Sequence, residues 1–194
     1  MFDKTKYLVK ERVAFLKLTD TYDIFDPETG QAVGMAKEVA SPLNRILRLF
    51  MNKLMLPTSV EIRSREDAPP ELTIRRGVTF FRSKIRILDK SGRDIGFFRS
   101  KVFTIGGGFR VFDKEGRQVA EVKGDWKGWN FRFLGANGAE LGTVTKKWAG
   151  IGKELFTSAD NYMIALNDSV GADPTLMSLL LAAGLAIDIV FKER

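Results

Sequence analysis

The chain has 194 residues, 44% apolar and 28% charged, with a net charge of +7, values that suit one globular domain over residues 1–194. It contains no cysteine and no histidine. That excludes disulfides, thiolate metal sites, S-acylation, the Ser/His/Asp triad and the usual general base near neutral pH, so an enzyme is not expected, nor a cofactor or a metal. The charge is unevenly placed. From Arg75 to Lys101 there are nine Lys/Arg and two Asp, 9 − 2 = +7, and the rest of the chain sums to zero. Such a concentration reads either as a surface for an anionic partner or as a solvated sheet face.

The N-terminus, Met1-Phe-Asp-Lys-Thr-Lys-Tyr7, has no apolar stretch of the signal-peptide kind, and a cytoplasmic location is expected. Tyr7–Val13 and Phe15–Leu18 read as strands. A unit of strand, Asp-x-x-Gly or similar turn, and returning strand then recurs. It appears as Tyr22–Gly34, Ile85–Gly96, Phe109–Ala120 and Phe131–Gly142, which predicts consecutive hairpins of a meander. In one strand Phe81, Ser83, Ile85 and Ile87 share a face, while Arg82, Lys84 and Arg86 share the other. Arg75, Arg76, Arg99 and Lys101 lie nearby in sequence, and these seven cations form the candidate head-group ladder.

Ser41-Pro42 and Pro57 bracket one segment of helical character. Leu43, Ile46, Leu47, Phe50 and Leu54 fall on one face, with Arg45 and Arg48 opposite and Lys53 on the flank. This short amphipathic helix either contacts a membrane, through Arg45, Arg48, Phe50 and Lys53, or caps an open barrel end. Arg65–Glu71 reads as an exposed turn. Gly106-Gly107-Gly108 lies between strands with no helix after it, so it is a hairpin turn and not a phosphate loop. Trp126, Trp129 and Trp148 are expected in the barrel wall. Asp160, Asp168 and Asp173 lack the spacing of a calcium loop.

The run from Thr175 to Phe191 is apolar almost all round. Asp173 suits its N-cap and Pro174 its first helical position. From Leu176 to Phe191 it has 16 residues, interrupted by Asp188, against the roughly 20 of a bilayer span. It is therefore read as a helix buried inside the protein through Leu176, Leu180, Gly184, Ile187, Asp188 and Phe191, with a tail-anchor as the alternative. A meander has two edges to protect, and closing it removes them. A barrel of about twelve strands is too wide for its own side chains to fill, and the apolar helix is the available plug. The expected fold is thus mostly β: a closed antiparallel barrel of about twelve strands enclosing a hydrophobic C-terminal helix, with no integral membrane span.

The string Lys147-Trp-Ala-Gly-Ile-Gly-Lys-Glu-Leu-Phe-Thr-Ser-Ala-Asp-Asn-Tyr162, with the ending Ile187-Asp-Ile-Val-Phe-Lys-Glu193, resembles the C-terminal half of the phospholipid scramblase family. The LURP-one-related and tubby-like proteins are its broader relatives. The hairpins extend the resemblance to about residues 7–194. It implies a twelve-stranded barrel around a central helix and work at membranes or with anionic lipids. The sequence carries neither the proline-rich arm nor the cysteine cluster of eukaryotic members. Ser158 stands where their proposed calcium segment starts with Asp, and Asn167–Asp173 departs from its acidic pattern, so calcium-triggered scrambling is not expected. The compact, cysteine-free form is similar to prokaryotic members. The functional expectation is a lipid- or membrane-associating module, peripheral at the membrane, binding anionic phospholipid head groups through a basic face. The alternative is a nucleic-acid-binding or protein-scaffold barrel using that same face. The oligomeric state is left open.

Overall fold

A computed structural model describes residues 3–12, 20–41, 56–77, 84–100, 108–125, 128–146 and 161–188. Twelve strands run in chain order: β1 Lys6–Glu11, β2 Thr21–Phe25, β3 Ala32–Val39, β4 Thr58–Arg63, β5 Leu72–Arg76 and β6 Lys84–Asp89, then β7 Asp94–Ser100, β8 Gly108–Asp113, β9 Gln118–Asp125, β10 Asn130–Gly135, β11 Glu140–Thr145 and β12 Asn161–Leu166. Each pairs antiparallel with its neighbours in sequence, and β1 pairs with β12 to close the barrel. A 3-10 turn, Asp168–Ala172, leads into helix α1, Pro174–Ala186. The segments expected to hold the amphipathic helix and the strand at Phe15–Leu18 lie outside the described residues.

The four hairpins share one construction. Gly30, Gly92, Gly116 and Gly138 have φ of 71°, 77°, 86° and 80°, the left-handed region that glycine enters without steric cost. The register slips by a residue just before each turn, at Ile24/Phe25, Ile87/Leu88, Val111/Phe112 and Phe133/Leu134. In the last three hairpins the Gly amide donates back across the turn, to the carbonyls of Asp89, Asp113 and Gly135 at 2.9, 3.1 and 2.9 Å. That is a three-residue loop with a glycine bulge. The first carries one more residue, and Gly30 N–H donates to Asp26 O at 2.8 Å.

The turn aspartates are acceptors. Asp89 Oδ1 takes bonds from Ser91 N–H, Ser91 Oγ and Arg93 N–H at 2.8, 2.6 and 3.0 Å. Asp26 accepts from Glu28 N–H and pairs with Lys4, which holds its carboxyl down at about 2. Asp89 is pushed lower, first by Ser91. Asp113 is also lowered, since the Arg117 donors outweigh the opposing effect of burial. Groups depressed in the folded state contribute stability that is present above their unfolded value of about 4 and lost as pH falls through the folded one. The melting temperature is therefore expected to hold down to about pH 5 and to drop between about 4 and 2. Asp89→Asn with Asp113→Asn should flatten that drop; an unchanged acid limb in the double variant would refute the assignment.

Helix α1 begins as its sequence dictates. Asp173 Oδ1 accepts from Thr175 N–H and Leu176 N–H at 2.9 and 3.0 Å, and Pro174 occupies the first turn, where its missing donor is not needed. Leu179, Leu180, Leu181 and Ala182, which together go once round the helix, are at most 1% exposed. The helix touches β5, β7 and β8 on one side of the ring and β12 on the other. Its side chains belong to a single apolar cluster with the inward-facing residues of the strands. Leu180, Gly184, Ile187 and Asp188 are buried, Leu176 is half-buried at the helix start, and Phe191 lies outside the described residues.

All three tyrosines of the chain, Tyr7, Tyr22 and Tyr162, are buried. Burial pushes Tyr7 up to about 12 and the other two further, with the charge of buried Asp188 adding to both. A raised phenol stabilises the fold fully below its unfolded value of about 10, and that stability is lost as pH climbs toward the folded value. Ultraviolet titration of the native protein should show no tyrosinate at pH about 10.5, with all three appearing together when alkali unfolds the chain. Stepwise ionisation of a folded protein near pH 10 would contradict this packing.

Candidate functional site

On the outer wall, strands β5 to β8 alternate as a half-wetted sheet should. In β6, Lys84 and Arg86 are exposed while Ile85 and Ile87 are buried. In β7, Phe98 is buried between half-buried Phe97 and exposed Arg99; in β8, exposed Arg110 lies between buried Phe109 and Val111. The register sets like charges opposite one another. Lys84 faces Arg99, Arg99 faces Arg110, and Arg75 faces Arg86. Directly opposed like charges destabilise a sheet.

One acid relieves this. Asp94 accepts from Arg86 Nε and Nη2 at 2.9 and 2.5 Å, a contact that holds its carboxyl below the usual range. Arg75, Lys84, Arg99 and Arg110 make no ion pair among the described residues. Two rings lie in their midst. Phe97 and Phe112 stack with centroids 4.9 Å apart and planes 12° apart. Lys84 Nζ sits 3.9 Å over Phe97, and the Arg99 guanidinium lies 5.7 and 5.6 Å from the two rings. Each such contact is worth about 0.5–1 kcal/mol at an exposed site, and together they hold the cations against the wall. The wall is a basic patch with an aromatic centre.

Of the sequence candidates, the structure brings Arg75, Lys84, Arg86 and Arg99 together on this wall. Arg76 does not belong with them. It stands opposite Ile85, is 5% exposed, and its Nη2 donates to Thr58 Oγ1 at 3.0 Å and to Leu56 O at 3.5 Å. Its neighbour Arg75 takes the outward position, so strand alternation turns Arg76 in. Arg82, Lys101, Arg45, Arg48, Phe50 and Lys53 lie outside the described residues. Arg110 and the Phe97–Phe112 stack are additions. Their signal was the alternation in Phe109-Arg-Val-Phe112, but their partners depend on cross-strand register.

Asp173 is spent on capping α1 and Asp168 opens the 3-10 turn; no cluster of three metal-ligating side chains occurs among the described residues. Trp129 packs half-buried against the core, with Lys146 Nζ 4.4 Å over its ring, while Trp126 and Trp148 lie outside the described residues. No helix among the described residues is long and apolar enough to cross a membrane.

A family model described as Scramblase matches residues 22–194, all but the first strand of the barrel. The chain belongs to the scramblase family. No curated protein and no solved structure gives a significant match. The matched region of this scramblase-family barrel includes the whole basic wall and α1.

Proposed function

We propose that this scramblase-family barrel is a peripheral, lipid-associating module that docks on anionic phospholipid surfaces through the outer wall of β5 to β8, with α1 as the plug that keeps the wall rigid. The observation that carries the reading is the opposed row Lys84–Arg99–Arg110, three cations held side by side without a carboxylate among the described residues. A row that costs stability in the free protein is relieved by a layer of phosphates. Single-stranded nucleic acid would ask the aromatic rings to stack on bases, yet Phe97 already has Phe112 against it and Lys84 over it. That favours lipid over the nucleic-acid alternative. Scrambling itself is a further step, and the sequence departures at Ser158 and Asn167–Asp173 leave calcium out of this proposal.

Flotation of the pure protein tests it. Vesicles containing phosphatidylserine should carry the protein up the gradient without calcium, vesicles of phosphatidylcholine alone should not, and binding should weaken as salt is raised. Retention on mixed DNA and RNA with no vesicle binding would turn the assignment to the nucleic-acid reading.

A further inference from the structure

We propose that the end of the barrel where α1 begins is a binding site for an amphiphile with an ammonium head and an apolar chain. The β6–β7, β8–β9 and β10–β11 turns meet the first turn of α1 there, around a bowl of about 840 Å³. Small-molecule sites usually fall between about 300 and 1,000 Å³. Its floor is apolar: Ile95, Val119 and Leu176 are half-buried hydrophobics packed on the core, and Leu179 lies beneath them.

The rim inverts the charge of the chain. Asp89, Asp94, Asp113, Glu115 and Asp173 line it against Arg93, Lys114 and Arg117, a balance of 3 − 5 = −2 in a protein of +7. Counting Arg86 of the wall against Asp94 still leaves the rim negative. An anion finds little here. The helix N-terminus would ordinarily attract one, but Asp173 already occupies the Thr175 and Leu176 amides. Arg93 and Arg117 are pinned on the carboxylates of their own turns, Asp89 at 3.1 Å and Asp113 at 2.7 Å. For a cation, acceptors remain. Asp173 Oδ2 accepts no bond among the described residues, and the Glu115 carboxylate is half-exposed. An ammonium group on this rim lays its chain on Leu176 and Val119. The site is separate from the basic wall and opposite to it in charge, so it does not rest on the vesicle-docking reading.

The test uses three probes with the same decyl chain, each below its micelle-forming concentration: decyltrimethylammonium, decyl maltoside and decyl sulfate. By calorimetry and methyl NMR, the ammonium should bind best, one per chain, and shift the methyls of Ile95, Val119 and Leu176. Glu115→Lys should weaken it roughly fivefold. Ala136→Trp, which fills the bowl from an exposed turn position, should weaken it about tenfold or more while leaving vesicle flotation unchanged. Reversal of the wall cations should leave ammonium binding in place. Equal binding of the three probes, preference for the sulfate, or ammonium binding that neither variant alters would overturn the proposal.

Discussion

Leu180→Arg is expected to leave no soluble folded protein, whereas Leu180→Met should fold with a loss under about 1.5 kcal/mol. Leu180 is 0% exposed, and its neighbours along one helical turn are equally enclosed, so a guanidinium there has no path to water. Leaving a charge buried without a partner costs several kcal/mol, against a total stability of about 5–15 kcal/mol. A second variant probes the same packing from the wall. A Cβ built on Gly96 would lie 2.3 Å from Phe112 O and 2.8 Å from Leu179 Cδ2. Because the first of these is backbone, no rotamer change relieves the clash, and Gly96→Ala should cost about 1–3 kcal/mol. Denaturant melts of the soluble variants, with recovery of Leu180→Arg from the soluble fraction, check both. A soluble Leu180→Arg with the parent's melting curve would show that α1 is not held as described.

The second large effect is on membrane binding. Lys84→Glu, Arg99→Glu and Arg110→Glu together move the net charge from +7 by six units to +1. With about 1 kcal/mol for each cation near an anionic surface, losing three attractive groups weakens vesicle binding about a hundredfold. Reversal adds repulsion, and binding should fall below detection. The neutral triple variant, Lys84→Gln with Arg99→Gln and Arg110→Gln, separates docking from folding. It should lose most vesicle binding yet melt at or above the parent temperature, since it removes opposed like charges worth about 0.2–1 kcal/mol per pair. Loss of binding together with a lower melting temperature would mean the row is structural. Unchanged binding would remove the wall from the docking reading.

The hairpins were legible because each carries its own instructions. The Asp-x-x-Gly turns at Asp89 and Asp113 need only nearby residues, and the alternation around Ile85 and Ile87 states which side is wet. The helix start was equally plain in Asp173-Pro174. What the sequence left ambiguous is set by pairing across strands. Arg75 and Arg76 are adjacent, so one of them must turn inward, and only the register against Ile85 decides which. The stack of Phe97 on Phe112 joins residues of different strands in the same way. The acidic bowl assembles three turns with a helix start some 80 residues beyond the first of them (173 − 89 = 84), and no local pattern announces it.

The order of strands around the ring has a consequence for how the chain folds. Every neighbouring pair except one joins strands consecutive in sequence, so most of the ladder can zip hairpin by hairpin, each closing a short loop on the scale of microseconds. The exception is the seam, where Lys6 meets Ala165 across 159 positions, a contact of very high order whose loop-closure entropy slows the final step. During synthesis, therefore, β1 waits as an open edge until β12 arrives, and the inward apolar face waits longer still, because α1 follows β12. A nascent chain halted before residue 161 would present both an unpaired edge and a bare hydrophobic sheet. The interval between making β11 and making α1 is when this protein is most in need of a chaperone.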